Sequence, residues 1–279
     1  MKYKHIITGG CSFSSPETPY VWPLQLEKHI NRIDESVTFA HRGLSSQGQD
    51  LIAKKTMFAI DEALKRGIPA TQIAVFVMWS SNDRLSFFVN DQKFIKEVVN
   101  NWELSEQGWS LQFGDLKNNI TDTCEIETKA LYNNKISYNR NGGWLITSLY
   151  SMDNMKFIKD AYSIGGYEGR VHRGLEYIIL LQSYCKSLGI KLYQQYFMDL
   201  PYIDFENLNK SYQMIQYLYN ALDYNTFIFP ENSYSIHGFL KDNPECFKSP
   251  EDSHPNGLGH RRWLTEVMIP HLNNDDFFN

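Results

Sequence analysis

Residues 73–79 read IAVFVMW, and this stretch decides the fold. It is apolar almost throughout, so a strand formed here would have to bury both of its faces. A strand at the surface of an antiparallel sheet would instead alternate apolar and polar side chains. The stretch therefore predicts a strand inside a parallel sheet that is covered by helices on both sides.

Shorter candidate strands and helices alternate around this stretch. The strands are predicted at residues 3–8, 37–40 and 190–197, with a weaker one around Phe227, and the helices at 19–30, 49–66, 171–188, 208–221 and from about 257 onward. Strands separated by helices are typical of an α/β fold with a central parallel sheet and right-handed crossovers. We expect a single domain spanning residues 1–279.

The alternation stops between residues 85 and 150. This stretch has weak hydrophobic periodicity, many asparagines and several aromatic residues. We interpret it as an insertion after the third strand, at the carboxyl edge of the sheet. Its aromatic residues, which include Trp102, Trp109 and Trp144, would suit stacking on sugar rings, and would equally suit an interface between copies of the chain.

The composition excludes several classes of protein. The formal net charge of −5 and an isoelectric point near 5.9 argue against binding nucleic acid by phosphate neutralisation. A hydrophobic fraction of 42%, with 14% aromatic residues, is too high for a disordered chain. No apolar run approaches the roughly 18 residues of a membrane helix, and no signal-peptide pattern opens the sequence. We therefore expect a cytoplasmic or virion-associated protein without a membrane or nucleic-acid partner.

Polar residues cluster where the candidate strands end. GGCSFS at 9–14 follows the first strand, HRGLS at 41–45 the second and SSNDR at 80–84 the third, while a further cluster occupies 251–260. The carboxyl ends of parallel strands lie at one edge of a sheet, and open α/β sheets bind their ligands there. We therefore expect these segments to meet at that edge and to form the functional site.

The residue types in these clusters favour nucleophilic acyl chemistry. A serine at a strand-to-helix turn, such as Ser12, exposes its hydroxyl beside the backbone N–H groups of a helix start. The N–H of Gly43 and the amide of Asn82 could join the Ser12 N–H around an oxyanion. His254 would supply a base, and a carboxylate close to it in the same loop would orient that base.

Four short motifs resemble the SGNH (GDSL-type) hydrolase superfamily. Residues 10–14 resemble its first block, 42–45 its second, 81–83 its third, and 252–256 with 259–260 its fifth. The resemblance implies a flavodoxin-like three-layer α/β/α sandwich. It also implies a serine hydrolase without a cofactor or metal, in which Ser12 is the nucleophile and Ser12, Gly43 and Asn82 form the oxyanion hole.

Two site residues have alternatives. The family carboxylate stands three residues before the histidine, a position held here by Glu251, whereas Asp252 stands two before it. We expect Asp252 to orient His254, with Glu251 as the alternative. Cys11 could be the nucleophile in place of Ser12, since a thiol at a helix N-terminus has a lowered pKa. Its place directly before the family serine favours a side chain that points into the sheet.

The favoured function is a serine esterase that removes O-acyl groups, O-acetyl above all, from a carbohydrate through an acyl-enzyme. Its partner would be a small-molecule or glycan ester, and a homo-oligomer is compatible with the sequence. Arg84 could bind a substrate carboxylate, or could pair with a carboxylate of the protein. Two alternatives stay open: an O-acyltransferase that uses the same triad, and a non-catalytic virion or binding module that retains the fold.

Overall fold

The strand predicted at residues 73–79 is present in the structure, together with other strands. The computed structural model of the chain describes residues 1–16, 18–44, 47–82, 84–89, 110–112, 143–148, 156–198, 213–228 and 235–279. Within them, the strands are β1 (His5–Gly10), β2 (Thr38–His41), β3 (Ile73–Trp79), β4 (Arg84–Val89), β5 (Ser110–Gln112), β6 (Gly143–Ser148) and β7 (Lys191–Tyr196).

The helices lie between and after these strands. They are α1 (Trp22–Asn31), α2 (Gln49–Lys65), α3 (Lys156–Leu188), α4 (Gln213–Asn220), α5 (Ile236–Leu240), α6 (Gly257–Arg262) and α7 (Ile269–Asn274). A π-helical stretch, Trp263–Met268, joins α6 to α7. In the described part of the chain, no helix is both long enough and apolar enough to cross a membrane.

Four parallel strands form the central sheet, in the order β2-β1-β3-β7. Gly10 at the end of β1 pairs with Met78 of β3, and Trp79 of β3 pairs with Tyr196 of β7. Every side chain of β3 is fully buried. The prediction of a parallel sheet around a strand covered on both faces is therefore confirmed. Both faces of β3 are buried because neither carries polar side chains that water could solvate.

Helices cover both faces of the sheet. On one face, Phe76 shares a buried cluster with Trp22 of α1 and Trp263 of the C-terminal helices. On the opposite face, its neighbour Val75 shares a cluster with Ile60 of α2 and with the buried residues of α3. Successive residues of a strand point to opposite faces, so each apolar strand contributes to both clusters. The protein is an α/β protein with a central parallel sheet between helical layers.

A second, antiparallel sheet follows β3 along the chain, and its strands have the order β4-β6-β5. Most of its residues fall in the segment predicted as an insertion. The remainder of that segment, residues 90–109, 113–142 and 149–150, lies outside the described residues. The insertion as a whole and the single-domain boundary therefore stay predictions.

Two predicted elements differ from the structure. The helix predicted at 171–188 begins earlier, at Lys156, and its helical geometry is broken at Gly166, where φ is +57° and ψ is −165°. Ile164 in its first part is 88% exposed, and the next two residues are glycines, which are typical of a break in a helix. The weak strand predicted around Phe227 is a single parallel bridge between Phe227 and Gln194 of β7.

Candidate active site

Ser12 stands in the turn that follows β1. The strand ends at Gly10, and Ser12–Ser14 then form one 3₁₀ turn. The φ angle of Gly10 is +152°, and a Cβ there would lie 2.9 Å from the carbonyl oxygen of Met78 and would overlap the Ser14 hydroxyl. Only glycine fits this position. The sharp turn leaves Ser12 at the carboxyl edge of the sheet.

Cys11, the alternative nucleophile, lies in a different environment from Ser12. Its side chain is fully buried, in the same core cluster as Trp22. Ser12 is partly exposed. The structure thus places the thiol in the core and the hydroxyl at the edge, where a substrate could reach it.

The structure brings Ser12, His254 and Asp252 into one chain of hydrogen bonds. His254 Nδ1 donates to Asp252 Oδ1 at 2.6 Å, and the backbone N–H of His254 donates to the same oxygen at 3.0 Å. With the ring proton on Nδ1, His254 Nε2 accepts a hydrogen bond from the Ser12 hydroxyl at 2.7 Å. The alternative carboxylate, Glu251, instead accepts a hydrogen bond from the hydroxyl of Ser249 at 2.9 Å.

Asn256 fixes the loop that carries His254. Its Oδ1 caps α6 by accepting from two backbone N–H groups, at 2.9 and 3.1 Å. Its Nδ2 donates to the carbonyl oxygens of Glu245 at 2.7 Å and Phe247 at 2.8 Å. The ring of Phe13 lies 4.7 Å from the imidazole, centre to centre. The histidine is thus held both through its loop and through its ring.

Electrostatics favour a neutral His254 and a charged Asp252 near neutral pH. Burial is the largest influence on His254 and lowers its pKa; Asp252 acts in the opposite direction, and the positive charges of Lys248 and Arg84 add to the lowering. Burial acts to raise the pKa of Asp252, but the hydrogen bonds from His254 outweigh it, and the pKa lies below its usual value. A neutral imidazole whose Nε2 carries no proton can accept one from serine, as a general base must.

The predicted oxyanion donors follow three adjacent strands. Ser12 follows β1, Gly43 follows β2 on one side of it, and Asn82 follows β3 on the other. A Cβ on Gly43 would overlap the carbonyl oxygen of Ser14, so glycine allows this chain to lie directly against the serine turn. No described residue accepts a hydrogen bond from the Gly43 N–H or from the Asn82 side-chain NH₂. These donors are available to an oxyanion.

Arg84, the candidate substrate-binding residue, begins β4. Its guanidinium lies over the ring of Phe197, 5.7 Å from the centroid, and Phe197 packs edge-on against Phe13 at 4.8 Å. Arg84 Nη1 is buried and has no hydrogen-bond partner among the described residues. The predicted alternative, a pairing with a carboxylate of the protein, is not found within the described ranges. A positive group is thereby held over Phe197, and it acts to lower the pKa of His254.

The three tryptophans predicted to shape substrate binding are only partly placed. Trp102 and Trp109 lie outside the described residues. Trp144 lies in β6, where it pairs with Phe88 of β4 and Gln112 of β5. Their contribution to a substrate site stays a prediction.

Two residues of the site, Phe13 and Gln49, were not singled out from the sequence. Gln49 donates a hydrogen bond to Asn82 Oδ1 at 3.0 Å. It precedes Ile52 and Thr56 by three and seven residues, and both lie on the buried stripe of α2, so helical spacing could have placed it on that face. A buried amide must find polar partners. Phe13 lies within the motif at 10–14, but nothing in that motif indicates that its ring packs against His254.

The chain matches no protein-family model and no curated protein. The chemistry of the site is therefore inferred from its residues and their geometry.

Proposed function

We propose that the protein is a serine hydrolase of the SGNH type that cleaves carboxylic esters through an acyl-enzyme. The observation that carries this proposal is the continuous chain from Ser12 Oγ through His254 to Asp252, with hydrogen bonds of 2.7 and 2.6 Å. A hydroxyl, an imidazole and a carboxylate in this order form a nucleophile with its base and the group that orients the base. They lie at the edge of the sheet where α/β proteins bind ligands.

The first half-reaction acylates Ser12. His254 Nε2 takes the hydroxyl proton while Ser12 Oγ forms a bond to the ester carbonyl carbon. The carbonyl oxygen becomes an oxyanion that the N–H groups of Ser12, Gly43 and Asn82 stabilise. When the intermediate collapses, the bond to the alcohol oxygen breaks, and the imidazolium gives its proton to the leaving alcohol.

The second half-reaction releases the acid. His254 takes a proton from water, the hydroxide oxygen attacks the acyl carbon, and the same donors hold the second oxyanion. The bond to Ser12 Oγ then breaks as Oγ regains its proton from His254. Asp252 stays charged and stabilises the imidazolium in both halves. No cofactor enters these steps.

The fold that we propose is a flavodoxin-like three-layer sandwich with an insertion at about residues 85–150. The strand order β2-β1-β3-β7 supports it. Single parallel bridges from Gln194 to Phe227 and from Tyr196 to Ser235 lie on the outer side of β7, where a fifth strand of such a sheet would be. The antiparallel strands β4, β5 and β6 support the insertion, since among the described residues they pair with one another and not with the central sheet.

The substrate that we propose is an O-acyl group, most readily an O-acetyl group, on a carbohydrate. Aromatic rings suit the apolar faces of sugars, and the segment 85–150 starts close to Asn82 and contains several of them. Arg84 adds a positive group beside His254. A carboxylate on the substrate would form a charge-assisted hydrogen bond with it.

Turnover of 4-nitrophenyl acetate and of an acetylated sugar tests the proposal. Ser12→Ala is expected to lower kcat by at least about a thousandfold, as for other triad serines. Cys11→Ala is the matched control from the neighbouring position, and it should keep most of the activity. Absence of ester turnover by the wild type, or full activity of Ser12→Ala, would contradict the proposal.

A further inference from the structure

We propose that Gln49 and Gly174 are positioning residues that determine which end of the Asn82 amide faces Ser12. Their expected effect on catalysis rests on the proposed function, whereas their effect on the orientation of Asn82 does not. An asparagine amide has a donor end and an acceptor end of nearly the same shape. Only the NH₂ end stabilises an oxyanion, so the orientation of this side chain decides whether the site works.

The orientation of Gln49 follows from its contact with a backbone carbonyl. Gln49 is the first residue of α2, and it is 3% exposed. Its Nε2 lies 2.7 Å from the carbonyl oxygen of Ser80 and 3.0 Å from Asn82 Oδ1. A carbonyl oxygen can only accept a hydrogen bond. The end of the Gln49 amide that faces Ser80 must therefore be the NH₂ end.

The orientation of Asn82 then follows from that of Gln49. The Gln49 NH₂ group needs an acceptor for its second hydrogen, because a buried donor without a partner costs free energy. Asn82 Oδ1 is that acceptor. If the Asn82 amide were turned around, two NH₂ groups would face each other. Gln49 thus holds the oxygen of Asn82, and the NH₂ group of Asn82 is the end that stays available.

Gly174 of α3 leaves the space that the Asn82 oxygen occupies. A Cβ at this position would overlap Asn82 Oδ1 and would lie 3.5 Å from Gln49 Nε2. The glycine costs helix stability, since alanine is preferred inside helices by about 1 kcal/mol. For Gly169 of the same helix, no atom beyond its chain neighbours and the adjacent helix backbone lies within 4 Å of where its Cβ would be. The close approach is therefore local to Gly174, at the point where α3 meets Asn82.

A pair of glycine substitutions separates this contact from general effects on the helix. Gly174→Ala and Gly169→Ala both add one methyl group to α3, but only the first displaces Asn82. We expect Gly174→Ala to lower kcat on 4-nitrophenyl acetate at least about tenfold with little change in KM, because oxyanion donors act in the transition state. We expect Gly169→Ala to keep wild-type kinetics. Equal kinetics in the two variants would overturn the role of Gly174.

A second pair of substitutions removes the hydrogen bond itself. Gln49→Met keeps the length of the side chain and removes its donor, and we expect the same loss in kcat. Gln182→Met is the control, since Gln182 is also buried and donates to the carbonyl oxygen of Ala221 at 3.2 Å, away from the site. In an Asn82→Ala background, Gln49→Met should cause no further loss, because Gln49 acts through Asn82. A full additional loss there would overturn the positioning role.

The NMR signals of the Asn82 side-chain NH₂ group test the orientation without any activity. They are assigned by their loss in Asn82→Ala. We expect them to shift in Gln49→Met and Gly174→Ala, and to keep their wild-type positions in Gln182→Met and Gly169→Ala. Unchanged signals in all four variants would overturn the inference. A wild type without ester turnover but with the expected shifts would reject the proposed function and leave the positioning of Asn82 supported.

Discussion

Asp252 holds His254 by two hydrogen bonds to one carboxylate oxygen, one from the ring and one from the backbone. The ring cannot rotate without losing the first bond, and the loop cannot shift without losing the second. The same carboxylate favours the tautomer that carries its proton on Nδ1, which leaves Nε2 to Ser12. A single side chain therefore fixes both the orientation and the tautomer of the His254 imidazole.

The two carboxylates next to His254 are expected to differ in their importance for catalysis. Asp252→Asn should lower kcat by about 10³- to 10⁴-fold, because the histidine is left in the wrong tautomer. Glu251→Gln should have little effect, because the side chain of Glu251 bonds to Ser249 and not to His254. Steady-state kinetics on 4-nitrophenyl acetate compare the two variants. The reverse ranking would transfer the orienting role to Glu251.

The charges around His254 predict a pH profile. His254 acts as a base only when neutral, so kcat/KM should fall as the pH drops through its pKa, which lies below the usual value of 6.5. Removing a neighbouring positive charge should raise that pKa and move the acid limb to higher pH. We expect this from Arg84→Met and from Lys248→Met, with exposed Lys241→Met as the control. Superimposable profiles for all these proteins would contradict the charge argument.

Among the secondary-structure elements, hydrophobic periodicity predicts those whose apolar residues form the core. β3 was predicted at 73–79 and is found at Ile73–Trp79, because burial on both faces leaves an unbroken apolar run. The first part of α3 was missed. It contains Gly165 and Gly166, which are typical of a break in a helix, and an apolar residue, Ile164, that faces solvent. The glycine pair therefore places the predicted start of the helix after this part.

The residues of the candidate site could likewise be predicted only in part from the sequence. Ser12 and His254 belong to short local motifs, and a motif can be read in a sequence. Gln49 and Phe13 contribute because α2 and the serine turn lie beside Asn82 and His254 in space. Such contacts between distant segments depend on how the layers pack. Helical spacing could have placed Gln49 on the buried face of α2, but it does not indicate which residue Gln49 contacts.

The loop before α6 supports the site through Asn256. Asn256→Ala removes the cap of α6 and two bonds to backbone carbonyls. We expect a loss of about 2 kcal/mol in the free energy of unfolding, measured in urea, together with a lower kcat. Asn273→Ala, at an exposed position in α7, should change neither. An unchanged free energy of unfolding in Asn256→Ala would show that the loop is held by other contacts.

At the scale of the whole molecule, the parallel sheet unites residues that are far apart in the sequence. Ser12, Gly43 and Asn82 follow three adjacent strands, and His254 reaches the same edge from a loop 242 residues after Ser12. The two helical layers bury the sheet and fix the relative positions of its strand ends. In the described part of the chain, the carboxyl edge is where Ser12, Gly43 and Asn82 follow their strands, and where the proposed nucleophile and oxyanion donors lie. We propose that the nucleophile at this edge is the Ser12 hydroxyl.

Mapping the adduct of a fluorophosphonate by mass spectrometry tests the assignment of Ser12 as the nucleophile. The reagent forms a covalent bond only with an activated nucleophile, so its position identifies the attacking atom. We predict one adduct on wild-type protein, located on Ser12, with none on Ser12→Ala and much slower labelling of His254→Ala. An adduct on Cys11, or unchanged labelling of Ser12→Ala, would contradict the account.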